Sequence, residues 1–98
     1  MGNSGIAQET LDRLRELLTH IVSEIVDSPD EVSVSVVPAS YTVLVELHTS
    51  SRDVGQVIGR QGSVVSGLRS ILASFGGKHR IRVDLDYVTE QRNREERR

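Results

Sequence analysis

Apolar positions along the chain follow two periods, and each marks a kind of element. Leu11, Leu14, Leu18, Ile21, Val22 and Ile25 recur at three- and four-residue spacing, one stripe of a helix over about residues 7–27. Ser28-Pro29-Asp30 stops it, because proline lacks the amide a helix needs. Val32, Val34 and Val36 then alternate with Ser33 and Ser35, which is the period of a strand. Pro38-Ala39-Ser40 predicts a turn. Tyr41, Val43, Val45 and Leu47 alternate again, a second strand antiparallel to the first. Leu44 interrupts the polar side of that strand and is read as a half-covered sheet residue.

The third region returns to the helical period. Asp53 is placed to cap a short helix through Ile58. Val64, Val65, Leu68, Ile71, Leu72 and Phe75 predict a helix over about 63–75, with Gly76-Gly77 as its stop. Ile81, Val83 and Leu85 alternate with Arg80, Arg82, Asp84 and Asp86, a third strand. The order is α-β-β-α-α-β. Three strands make one sheet, three helices cover one of its faces, and the fold class is α+β in two layers. Residues 1–6 are read as a flexible head, 7–88 as the domain, and 89–98 as a charged tail, frayed or disordered.

Composition narrows the chemistry. The 98 residues suffice for one small core, which three aromatics and many Val, Ile and Leu make aliphatic. There is no cysteine, which removes thiol catalysis and cysteine-held metal. No apolar run approaches the roughly 20 residues of a membrane span. The first residues lack the pattern of a secretory signal, and Ile6 stands where a myristoylation signal has Ser or Thr. The expected location is the cytoplasm, with no membrane partner. His20, His48 and His79 fall in unrelated elements without ligand spacing, and no serine sits in a nucleophile elbow. Neither an enzyme nor a bound cofactor is expected.

The net charge of -2 hides an asymmetry. Residues 1–51 carry eight acids and two bases, whereas residues 52–82 carry six bases and only Asp53 as an acid. A polyanion is attracted to the middle of the chain, although ordinary solvated charge explains the counts equally well.

Within that basic segment lies Val57-Ile58-Gly59-Arg60-Gln61-Gly62. Gly-x-x-Gly alone is weak, and Gly2-Asn3-Ser4-Gly5 matches it too. The context is stronger: a short helix leads in and an amphipathic one leads out. Glycine permits close approach of a second backbone. The amides that open a helix attract phosphate oxygens. Arg60 adds a forked cation and Gln61 a neutral donor and acceptor. A nucleoside-triphosphate loop and a dinucleotide fingerprint are both absent.

VIGRQG followed by SVVSGLRSIL resembles the signature of a KH domain, in which a Gly-x-x-Gly loop clamps about four single-stranded nucleotides. The element order is that of the type II KH fold. Chain length, residues 53–62 and Leu68-Arg69 resemble most the KhpA (YlqC) family of small bacterial RNA-binding proteins, over about residues 7–88. The resemblance implies single-stranded RNA as ligand, a role as RNA chaperone or post-transcriptional regulator, and a homodimer or a heterodimer with a KhpB (Jag)-type KH protein. It implies RNA contact by Val57, Ile58, Gly59, Arg60, Gln61, Gly62, Ser63 and Arg69, over a groove floor of Val54, Val65 and Val83. It also implies a basic variable loop at residues 76–80 that brings Lys78 and Arg80 to the RNA. Plainer readings stand beside these: Val57 and Ile58 as core, Lys78 and Arg80 solvating a turn, Arg69 on a wet helix flank. The rival function is a protein-interaction module that keeps the fold for dimerisation. Aromatic platforms for base stacking are few, Tyr41, Phe75 and Tyr87, each expected at core-like or edge positions.

Overall fold

A computed structural model describes residues 5–89. The rest of the head (1–4) and tail (90–98) lies outside the described residues. The elements are α1 (Gln8–Ser23), β1 (Ser33–Pro38), β2 (Thr42–His48), α2 (Val54–Ile58), α3 (Ser63–His79) and β3 (Arg82–Tyr87), joined in part by short 3-10 turns. The order is the expected α-β-β-α-α-β.

The strands form one sheet in the order β1-β2-β3. β1 and β2 pair antiparallel, with Val36 opposite Val45. β3 runs parallel to β2, with Val45 opposite Leu85 and Leu47 opposite Tyr87. Strand β2 is therefore central, and its alternate residues Val43, Val45 and Leu47 are fully buried. They meet the stripe Leu11, Leu14, Leu18 and Val22 of α1 and Leu68 and Leu72 of α3 in one aliphatic core. Helix α1 adds surface pairs one turn apart, Arg13 to Glu9 at 2.8 Å and Gln8 to Asp12 at 3.0 Å, each contributing a few tenths of a kcal/mol.

Several boundaries differ from the sequence reading, each for a physical reason. Helix α1 ends at Ser23, short of residue 27. The backbone N–H groups of Asp27 and Ser28 are drawn instead to the Asp53 carboxylate, at 3.3 and 3.1 Å. Asp53 is thus no cap for α2: its side chain makes no capping bond there and is buried, at 1% exposure. The turn residue Pro38 belongs to β1. An edge strand accepts proline at its end, where the missing amide breaks no ladder bond. Tyr41 precedes β2 and is exposed rather than core-like.

The largest correction concerns Gly76-Gly77, which lie inside α3 rather than ending it. Gly76 is buried, and a Cβ on it would stand 2.5 Å from the Ile81 carbonyl oxygen and 3.2 Å from Val83. Glycine is needed there because the chain folds straight back: the Ile81 N–H donates to the Gly76 carbonyl at 2.9 Å. The helix closes one turn later, at Arg80 in the left-handed conformation. No loop spans residues 76–80, and Lys78 is helical.

Candidate nucleic-acid interface

Helix α2 is one turn and a half long because glycine ends it. Gly59 has φ 79 and ψ 172, a region that is essentially glycine's alone, and its N–H closes α2 on Gly55 at 2.9 Å. The loop then turns through Arg60, left-handed Gln61 (φ 57) and left-handed Gly62 (φ 77) into α3. The two glycines do different work. A Cβ on Gly59 would collide with the Val64 side chain and stand 2.7 Å from the Val64 nitrogen. Around the same point on Gly62 nothing lies within 4 Å. Gly59 therefore packs the loop onto α3, and Gly62 leaves the start of α3 uncovered.

That start carries no side-chain cap. The Gly62 and Ser63 N–H groups are taken up within the loop, by the Gly59 and Arg60 carbonyls, so what the start of α3 shows beside exposed Arg60, Gln61 and Ser63 is the positive end of the helix dipole rather than free amides. Arg60 makes no ion pair among the described residues. Ile58, at 37% exposure, presents an apolar surface at the loop's leading edge.

The remaining expected site residues divide. Val57 is 1% exposed and belongs to the core, so it has no surface to offer a ligand. Val54, Val65 and Val83 are half-buried and pack against that core. Arg69 lies on the side of α3 facing β3 and donates from Nη2 to the Leu85 carbonyl at 3.3 Å, bridging helix and edge strand. Lys78, nine residues further on, faces the opposite side of the helix. Arg80 sits where α3 ends, about 25 Å from the loop. The structure thus gathers Ile58 to Ser63 in one loop, sets Arg69 two turns along α3 on the side of β3, and separates Lys78 and Arg80 from the loop.

A model of the KhpA/KhpB KH domain matches residues 15–86. The chain belongs to the KhpA/KhpB family. Curated KhpA relatives agree over most of its length. One from Chlamydia pneumoniae is 31% identical over 80% of this chain and the whole of its own. One from Borreliella burgdorferi is 37% identical over 74% of this chain and 89% of its own. One from Mycobacterium bovis is 40% identical over 71% of this chain and 86% of its own. Each of these relatives is named an RNA-binding protein.

Two features of this KhpA/KhpB domain were not read from its sequence as site-forming. Asp53 anchors the entry to α2, and thus the loop, to the exit of α1. In the sequence it stands out as a cap for α2 and as a lone acid in a basic segment, and neither points to the exit of α1. Tyr87, buried under the sheet's edge, shares a 2.6 Å hydrogen bond with the Thr49 hydroxyl. Burial holds its phenol above the ordinary range; the Thr49 bond opposes this and the Asp53 charge adds to it. Among the described residues no group of three or more His, Asp or Glu could hold a metal, and no helix is long and apolar enough to cross a membrane.

Proposed function

We propose that this protein binds single-stranded RNA at the α2–α3 loop, with a phosphate seated over Gly62 at the start of α3. The observation that carries this reading is the contrast between the glycines. Gly59 is accounted for by contact with Val64, whereas the absent Cβ of Gly62 opens onto solvent beside an uncapped helix. A phosphate oxygen there meets the positive end of the α3 dipole and the Arg60 guanidinium. Ile58 gives the adjoining ribose or base an apolar surface, and Arg69 extends the cationic side of the groove. The names of the KhpA relatives support the same ligand. With a net charge of -2 the binding is modest and salt-sensitive, as suits an RNA chaperone or post-transcriptional regulator acting on transcripts in the cytoplasm.

The test is fluorescence anisotropy of a labelled single-stranded RNA with wild type and with the double variant Arg60→Asp, Gln61→Asp, at two salt concentrations. The reading requires the wild type to bind and the variant to lose most of that binding. Equal binding by both removes the loop from the site.

A second reading has its own observation. Ile71 is 44% exposed on α3, an apolar side chain with no role in the core. It suits association of two KH domains, as a homodimer or with a KhpB (Jag)-type protein. Sedimentation of wild type and Ile71→Glu separates the two readings, since RNA binding at the loop does not depend on Ile71.

A further inference from the structure

At the end of α3 away from the loop lies a second recess. Its walls come from the residues before α1, the β1–β2 turn and the α3–β3 turn. Tyr41, His79, Arg80 and Ile81 line it with Ile6 and Thr10, around a cavity of about 200 Å³. A small-molecule site occupies roughly 300–1,000 Å³. This recess suits one planar ring system rather than a whole cofactor.

The lining residues indicate which ring. The chain has only three aromatics, and Phe75 and Tyr87 are held in or against the core. Tyr41 is left 74% exposed. Its backbone is fixed, because its carbonyl accepts the Arg82 N–H at 2.8 Å. The His79 ring is held against Phe75, with centroids 4.4 Å apart. Arg80 takes a left-handed conformation, φ 60, at a helix end where glycine sits without strain. It makes no ion pair among the described residues, and no carboxylate lines the recess. An exposed aromatic face beside a forked cation is the pair that a nucleotide needs: stacking for the base, paired donors for the phosphate.

We infer that Tyr41 and Arg80 form a second nucleotide contact, where a base of the bound RNA stacks on Tyr41 and its phosphate is held by Arg80. The inference rests on the RNA reading of the loop. A strand limited to the four nucleotides a KH loop clamps leaves the recess empty. A longer strand that follows α3 fills it.

The experiment uses oligouridines of four and twelve nucleotides, with wild type, Tyr41→Ala, Tyr41→Phe and the Arg60→Asp, Gln61→Asp variant. Because Tyr41 is exposed, Tyr41→Ala keeps the fold, which its melting curve checks. Tyr41→Ala weakens the twelve-mer by about tenfold and leaves the four-mer unchanged. Tyr41→Phe, which keeps the ring, binds both as wild type does. Equal twelve-mer affinity in wild type and Tyr41→Ala overturns the inference; the loop reading then still stands if the loop variant weakens both RNAs. Binding of neither RNA by wild type overturns both.

Discussion

The carboxylate of Asp53 accepts the backbone N–H of Ser28 at 3.1 Å, joining residues 25 apart in the chain. Its other oxygen accepts from Asp27 at 3.3 Å. One buried side chain thus satisfies two amides where α1 ends and fixes where α2 begins. Asp53→Ala leaves both amides without an acceptor and costs about 2–4 kcal/mol of stability in urea denaturation. Asp53→Asn costs less, because its amide oxygen still accepts. Since Asp53 also holds the loop to the exit of α1, the folded fraction of Asp53→Ala binds RNA more weakly than wild type, and that of Asp53→Asn less so.

The two loop glycines fail differently. Gly59→Ala places a methyl against Val64 in a conformation that only glycine adopts readily. It lowers stability by about 2–3 kcal/mol, seen as a fall in melting temperature. Gly62→Ala meets no neighbour and bears only the left-handed penalty of about 1–2 kcal/mol. Its methyl projects into the place proposed for the phosphate, so its RNA affinity falls while its folded structure persists.

Tyr87 ties stability to alkaline pH. Its folded-state pKa lies above the ordinary value of 10.0, chiefly through burial. As pH rises the unfolded chain loses this proton first, so the unfolded state is the one favoured. The contribution is fully present below pH 10 and is lost as pH rises through the folded-state value. In Tyr87→Phe, denaturation curves from pH 9 to 11 show a shallower decline than in wild type. At neutral pH the same variant loses about 1 kcal/mol with the Thr49 bond.

Salt reports how many phosphates the protein holds. Two or three contacts give a slope of about -1.5 to -2 in log affinity against log salt, at about -0.7 per phosphate on a single strand. Arg60→Gln reduces that slope by about 0.7. Lys78→Gln, on the far side of α3, leaves it unchanged.

Periodicity revealed the architecture because the core is aliphatic and regular. Val43, Val45 and Leu47, and Leu11, Leu14 and Leu18, keep their period without interruption, and each proves buried. The loop was legible too, since Gly59 to Gly62 stand between two helical stripes. What periodicity could not carry is contact between distant residues. Asp53 looks like a helix cap until Asp27 and Ser28 are seen beside it. Gly76-Gly77 looks like a stop until the Ile81 carbonyl is seen against Gly76. The resemblance makes Val57 and Ile58 alike, yet successive helical residues point to different sides, and only Ile58 reaches the surface. Tyr41 continues an alternation into the turn, where no sheet remains to cover it.

The most direct measurement is an amide chemical-shift titration of the isotope-labelled protein with single-stranded four-nucleotide RNA. Binding at the loop moves the amide signals of Arg60, Gln61, Gly62 and Ser63 first and furthest, with smaller changes at Arg69 and Leu85, and leaves α1 unmoved. Saturable shifts on another surface, with residues 60–63 still, contradict a phosphate site at the start of α3.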